Sequence, residues 1–192
     1  MSDTATTYLR FFWAGLVKQA QTGAIVPSQR FLIAKMIAPV PVTYRGRIIE
    51  LGAGTGALTL KLAARCPKAR ILACEINPVL AEDTRSRLGA ARLSGRVEVV
   101  ADSAQNLLSK MIERGSERAD FVISGIPLGP LGRRKAVSLI DTISRALGDR
   151  GTYIQFQYSL LDRSKIRARF PNMRTVPALL NFPPAVVYIA KR

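Results

Sequence analysis

The feature that most constrains this chain is a short apolar run broken by a glycine cluster. Arg47-Ile48-Ile49-Glu50-Leu51 is followed directly by Gly52-Ala53-Gly54-Thr55-Gly56, and a helix-period segment over 55–65 opens behind it, with Pro67 as its stop. A strand, a glycine turn and a helix N-terminus together bring free backbone N–H groups close to a ligand. The alternation then repeats. Ile71–Glu75 reads as a second strand, with a helix from Pro78 to about Arg92. Val97–Ala101 reads as a third strand, ending at Asp102, with a helix to about Arg114. Phe121–Ser124 is a fourth strand, Arg134–Leu147 a long helix and Thr152–Tyr158 a fifth strand. Strands alternating with helices predict an α/β fold with a parallel sheet wrapped on both faces.

The tail breaks that rhythm. Thr175–Leu180 and Ala185–Ala190 both read as strands, with only Asn181-Phe182-Pro183-Pro184 between them. That gap is too short for a crossover helix, so the pair is predicted to be antiparallel. The expected fold is Rossmann-like: a mostly parallel seven-stranded sheet closed by a C-terminal antiparallel hairpin, the architecture of class I methyltransferases. Residues 23–192 are read as one such domain. Ahead of it, Leu9, Phe12, Trp13, Leu16, Val17 and Ala20 fall at the spacing of one helix face, so 1–22 is predicted to form an amphipathic helix. Such a helix either docks on its own core or lies in a lipid headgroup layer, and Trp13 beside Phe11 and Phe12 favours the second role.

Charge narrows the partners. The 192 residues carry 29 Lys and Arg against 13 Asp and Glu, a net charge of +16 that favours polyanions: nucleic acid, an anionic membrane or an acidic protein. Histidine is absent, which excludes Ser-His-Asp and Cys-His catalysis and imidazole ligation, and no metal site is expected. Cys66 and Cys74 form no paired motif and read as buried thiols of an intracellular protein. No apolar run approaches the ~18–20 residues of a membrane span. With no basic leader, a cytoplasmic protein is expected.

The glycine cluster by itself fits two cofactors, since Gly52, Gly54 and Ala57 also satisfy a dinucleotide pattern. Three features favour S-adenosylmethionine. Glu50 stands before the glycines, where a carboxylate repels a pyrophosphate but holds an amino-acid ammonium, directly or through water. Asp102, with Ser103 beside it, is placed to accept from an adenine amino group. A dehydrogenase also needs a substrate domain for which 192 residues leave little room. Glu75, ending the second strand, is placed to accept from both ribose hydroxyls, with Ile76 next to it. The predicted cofactor set is therefore Glu50, Gly52, Ala53, Gly54, Gly56, Glu75, Ile76, Asp102, Ser103 and Ser124, with S-adenosyl-L-homocysteine as product.

The acceptor belongs beside the end of the fourth strand, at Ser124-Gly125-Ile126-Pro127-Leu128. Adenine-amino methyltransferases usually carry Asn or Asp here, then Pro, then an aromatic on which the base stacks. Ser124 and Leu128 replace the amide and the aromatic, so a flipped adenine loses its partner and its platform.

These residues, with Gly23-Ala24-Ile25-Val26-Pro27-Ser28, Gln155-Phe156-Gln157-Tyr158 and Asn181-Phe182-Pro183-Pro184-Ala185, resemble the small bacterial phospholipid N-methyltransferases. The likeness runs from about Gly23 to the C-terminus. It implies stepwise methylation of phosphatidylethanolamine through mono- and dimethyl forms to phosphatidylcholine. It also implies a peripheral protein on the inner face of the cytoplasmic membrane, attached to anionic lipid by its N-terminal helix. On that reading Trp13, Ile126, Pro127, Arg133, Arg134 and Lys135 meet substrate or membrane, and Arg163, Lys165, Arg167 and Arg169 rim the same face. Tyr158 and Tyr8 are candidates to orient the amine. A monomer that binds no nucleic acid is expected. The rival readings are an rRNA adenine N-methyltransferase and a non-catalytic basic RNA-binding protein on the same fold.

Overall fold

The computed structural model of the chain describes residues 27–181 and 184–192. Seven strands form one sheet: β1 (Arg47–Leu51), β2 (Arg70–Glu75), β3 (Val97–Ala101), β4 (Ala119–Ser124), β5 (Leu147–Gln157), β6 (Asn172–Ala178) and β7 (Ala185–Lys191). Their order is β3-β2-β1-β4-β5-β7-β6. The first five are parallel, whereas β7 runs antiparallel to both β5 and β6. The expected architecture is therefore the observed one.

The parallel strands are apolar throughout because both of their faces are covered. Ile48, Ile71 and Ala73 point into one core, while Ile49, Leu51, Leu72 and Cys74 point into the other. The first core is roofed by α1 (Pro27–Ile37), α2 (Ala57–Arg65) and α3 (Pro78–Ala90), through Met36, Leu62 and Leu88. The second is roofed by α4 (Ala104–Glu113), α5 (Gly132–Ala146) and α6 (Arg163–Arg169), through Leu108, Ile140 and Ile166. Helix starts follow local chemistry. Asn77 caps α3 by accepting from Val79 N at 2.9 Å, with Pro78 in the first turn, and Ser103 caps α4 by accepting from Asn106 N at 3.1 Å.

Several elements differ from expectation. Helices α1 and α6 have no counterpart in the sequence reading. Strand β5 begins at Leu147, not Thr152, and a register irregularity between Ala119 and Phe121 accommodates the extra length. Strand β6 covers Asn172–Ala178, so Leu179 and Leu180 fall in the turn that follows it. The predicted N-terminal helix over 1–22 lies outside the described residues. No helix among the described residues is long and apolar enough to cross a membrane.

Candidate active site

Strand order reverses between β1 and β4, so the chain leaves these two neighbours toward opposite faces and opens a crevice at their carboxyl ends. The glycine loop occupies that point. Gly52, Gly54 and Gly56 all have positive φ (78°, 57° and 75°), a conformation that disfavours any side chain. A Cβ on Gly52 would sit 3.0 Å from Ile126 Cγ1, and one on Gly56 would sit 2.7 Å from Thr84 Cγ2. Gly52 N and Ala53 N both donate to Cys74 O at 2.9 Å, and Gly54 N donates to Glu75 Oε2 at 2.8 Å. The loop is thus fastened to the end of β2.

A cavity of about 710 Å³ opens above this loop. Of the sequence-predicted cofactor residues, Gly52, Gly54, Glu75, Ile76, Asp102 and Ser103 line it, and of the predicted substrate residues Ile126, Pro127, Arg134 and Lys135 do. Glu75 is buried, with Oε1 accepting from Asn77 N at 3.0 Å, and each oxygen keeps a further lone pair for a ligand. Ile76 presents a largely exposed aliphatic side chain beside it. Asp102 accepts from Ser103 N at 2.7 Å, Asn106 Nδ2 at 3.2 Å and Lys110 Nζ at 2.8 Å. The Lys110 ammonium holds its carboxyl below the usual carboxylate range.

The remaining predicted residues stand off the cavity wall. Ala53 and Gly56 shape the loop from behind, Gly56 as the residue preceding α2. Glu50 is 2% exposed, and its Oε2 has no hydrogen-bond partner among the described residues. Burial pushes its carboxyl up to about 8; the Thr59 side chain opposes the shift and the Glu75 charge adds to it. Ser124, fully buried, turns inward, where its Oγ accepts from Ile126 N at 3.2 Å. Arg133 is exposed away from the cavity. Tyr158 is also off the wall: its ring packs edge-on against Phe156 at 5.4 Å, and its phenol, raised by burial, pairs with Asn181. Tyr8 and Trp13 lie outside the described residues.

Sequence reasoning missed two parts of the site. One is the wall built by Pro130 and Leu131 of the 3-10 turn Gly129–Leu131, with Ser138 and Leu139 of α5, across from Ala104 and Gln105 of α4. Gln105 Nε2 donates to Thr142 Oγ1 at 2.8 Å and ties the two helices. The other is a buried polar network under the acceptor segment. Tyr153 donates its hydroxyl proton to Gln155 Oε1 at 2.6 Å, and Gln155 Nε2 donates to Ile126 O at 2.9 Å and Phe156 O at 2.6 Å. Gln155 and Ser124 are cross-strand partners, a relation visible only once β4 and β5 are in register. Cys66 and Cys74 are free and buried as expected; Cys74 borders the cavity, and burial pushes its thiol up to about 12.

A larger cleft of about 1000 Å³ lies at the opposite, amino ends of β1–β3, lined by Arg45, Arg47, Lys68 and Arg70 among others. It contains neither the glycine loop nor Glu75 and Asp102, so the smaller cavity carries the chemistry. That cavity joins an apolar wall, two acids and a cradle closed to any Cβ, and the partnerless carboxylate oxygen of Glu50 lies off its wall on the strand that leads into the glycine loop. Such a set accommodates a nucleoside bearing a cationic amino acid.

Comparison with known proteins agrees. Residues 48–151 match a family model described as "Methyltransferase domain". The chain is 28% identical over 170 residues to an ornithine lipid N-methyltransferase of Singulisphaera acidiphila, covering 88% of this chain and 87% of that one. It is 35% identical over 80 residues to a tRNA1(Val) (adenine(37)-N6)-methyltransferase of Porphyromonas gingivalis, covering 41% of this chain but 31% of that protein. A SAM-dependent methyltransferase structure from Agrobacterium tumefaciens superimposes with a TM-score of 0.68 at 12% identity, covering 87% of this chain and 63% of that one. The chain belongs to the methyltransferase domain family, whose methyl donor is S-adenosylmethionine.

Proposed function

We propose that this methyltransferase acts on the primary amine of a zwitterionic membrane lipid, methylating phosphatidylethanolamine stepwise toward phosphatidylcholine. The observation that carries the reading is the acceptor segment. Ser124 is turned inward and Leu128 is fully buried, so neither offers a flipped adenine a hydrogen-bond partner or a stacking platform. Ile126 and Pro127 instead present an apolar wall, and Arg134 and Lys135 stand on the far side of the cavity without an ion pair among the described residues. Apolar walls suit the lipid stem, and the two cations suit the anionic group that every zwitterionic headgroup carries near its amine. A relative that spans most of both chains is an ornithine lipid N-methyltransferase, which supports the same class.

Bound S-adenosylmethionine supplies an electrophilic methyl carbon. An acceptor amine that had passed its proton to water would give its lone pair to that carbon, with the C–S pair returning to sulfur. The chain's part is mainly to bind and position. Glu50 would hold the amino-acid ammonium beside the glycine loop, Glu75 would accept from the ribose hydroxyls, and Ile76, Asp102 and Ser103 would flank the adenine. The protein works as a monomer on the inner face of the cytoplasmic membrane, with segment 1–22 contributing attachment.

The test is label transfer. Methyl-labelled S-adenosylmethionine is supplied with anionic vesicles containing phosphatidylethanolamine, with vesicles containing an ornithine lipid, and with undermethylated tRNA and rRNA. Label in phosphatidylethanolamine supports the reading in full, and its mono-, di- and trimethyl pattern counts the steps. Label confined to the ornithine lipid keeps the aminolipid class and replaces the headgroup, whereas label in RNA alone overturns both.

A further inference from the structure

The geometry points to a second membrane contact, separate from segment 1–22: two leucine pairs that dock the active-site edge of the sheet on an anionic bilayer. This inference rests on the lipid-acceptor reading above. Leu160 and Leu161 are 58% and 84% exposed, and Leu179 and Leu180 are 73% and 68% exposed. Single exposed leucines are ordinary, but two adjacent pairs at one end of a molecule are not.

Topology places both pairs at the same end as the cofactor cavity. β6 and β5 both pair antiparallel with β7, so their carboxyl ends coincide; Ala178 faces Ala185 while Gln157 faces Val186. Leu160 and Leu161 follow β5 and Leu179 and Leu180 follow β6, so both loops emerge on the edge that holds the glycine loop and the acceptor segment. The loops are tied to one another and to the site. Tyr158 pairs with Asn181 across them. Tyr188 donates to Ser159 O at 3.5 Å, and Leu161 N donates to Ser159 Oγ at 3.1 Å. A Cβ on Gly129 would meet Asp162 Oδ2 at 3.6 Å, which sets the β5–α6 loop against the 3-10 turn that walls the cavity.

Charge selects the occupant. Directly after Leu161 and Asp162, α6 carries four basic residues, of which Lys165 is paired with Asp162 and Arg169 with Asp141. Arg163 and Arg167 are exposed, share one face at i, i+4 spacing and make no ion pair among the described residues. Aliphatic tips flanked by unpaired arginines, on a protein of net charge +16, match a bilayer with anionic headgroups: the leucines enter the acyl boundary while the arginines meet phosphates. Docking by this rim turns the mouth of the cavity toward the headgroup layer.

The experiment uses the full chain and flotation with vesicles of phosphatidylglycerol and phosphatidylethanolamine. Leu161→Glu with Leu180→Glu is compared with wild type and with Val42→Glu combined with Thr43→Glu, an equal change of two charges on exposed residues in the segment leading into the amino end of β1. The rim variant is expected to lose about tenfold or more in vesicle partition, and the Val42 and Thr43 double variant to keep wild-type partition. S-adenosylmethionine affinity and methylation of a water-soluble short-chain phosphatidylethanolamine stay unchanged in both. Equal flotation of wild type and rim variant overturns the proposal. So does a change in oligomeric state with vesicle partition unaltered, which assigns the rim to self-association. If short-chain phosphatidylethanolamine is not methylated by wild type while the rim variant still loses its vesicles, the docking surface stands and the acceptor reading fails.

Discussion

Gly54 N donates to Glu75 Oε2 across 2.8 Å, joining the glycine loop to the end of the neighbouring strand. The bond gives Glu75 two tasks: it fixes a loop held at positive φ, and its spare lone pairs face the cavity. Glu75→Ala removes both and leaves two backbone N–H groups without their acceptor. S-adenosylmethionine affinity should fall about 10- to 100-fold, since hydrogen bonds to charged groups are worth roughly 1.5–3 kcal/mol. Glu75→Gln keeps one acceptor oxygen and should lose less. Calorimetric titration of both variants checks the order, and equal affinity of Glu75→Ala and wild type would refute the assignment.

Glu50 makes a pH-dependent prediction. Its folded value of about 8 stands above its ordinary 4.5, so between those limits the folded chain holds a proton that the unfolded chain has released. The cofactor-free protein is therefore stabilised below about pH 4.5 by this group and loses that contribution as pH rises to about 8, by about 1 kcal/mol per pH unit. A cationic ligand beside the carboxylate favours the ionised form, so S-adenosylmethionine binding should release a proton and strengthen through the same range. Glu50→Gln should raise thermal stability at pH 9, weaken ligand binding and flatten its pH dependence. A Glu50→Gln variant whose affinity tracks pH as wild type does would move the ammonium site elsewhere.

Much of the frame was readable because parallel strands covered on both faces are nearly continuous apolar runs, as in Arg47–Leu51 and Ile71–Glu75. The loop, Glu75, Asp102 and Ser103 were readable because strand ends and caps are local. Helix α1 was not, since Leu32, Ile33, Met36 and Ile37 are buried while Phe31, in the same apolar run, is half exposed. Its pattern shows no clean period. Strand β5 includes Gly148-Asp149-Arg150-Gly151 although the register steps from Leu147 to Thr152, and a Cβ on Gly151 would sit 2.8 Å from Leu147 Cβ, so the chain folds back on itself there, which no apolar alternation signals. The Tyr153–Gln155 network required cross-strand register, which no local pattern encodes.

That network is open to direct test. Gln155 is fully buried and joins Tyr153, Ile126 and Phe156 through three hydrogen bonds. Gln155→Leu fills similar volume but leaves Ile126 O without the side-chain donor and Tyr153 without its acceptor. Stability should fall by about 1–3 kcal/mol. Because Ile126 forms the acceptor wall and Glu75 is untouched, kcat/KM should drop about tenfold with S-adenosylmethionine affinity preserved. Denaturant unfolding, ligand titration and initial rates separate the effects; a loss of ligand affinity equal to the loss of rate would contradict the division.

The glycine loop predicts a compensating pair. At Gly56 a methyl group meets Thr84 Cγ2 at 2.7 Å and its own φ of 75°. Gly56→Ala should cost about 2 kcal/mol or more, combining backbone strain with the clash. Thr84→Ser removes Cγ2 while keeping the hydroxyl that donates to Gly54 O at 3.3 Å. The double variant should recover part of the clash, since the retained hydroxyl still sits 2.9 Å from the added methyl, and none of the strain, so its unfolding free energy should lie between wild type and Gly56→Ala. Full additivity in the cycle would show that the two side chains do not meet.

Arg134 and Lys135 line the cavity from α5, while their neighbour Arg133 does not. The three side chains carry the same charge and share one surface region, so a purely electrostatic steering role predicts similar losses from each. A headgroup-binding role predicts a split. Arg134→Ala and Lys135→Ala should each raise KM for the aminolipid about 5- to 10-fold, because each removes a charge-assisted hydrogen bond to its anionic group. Arg133→Ala should change KM by less than about twofold, since exposed charges far from a partner are screened within a Debye length. S-adenosylmethionine affinity should be unchanged in all three, as none adjoins the glycine loop. Rates at two salt concentrations complete the test: uniform, salt-sensitive losses across the three residues would assign them to steering and leave the headgroup pocket unlocated.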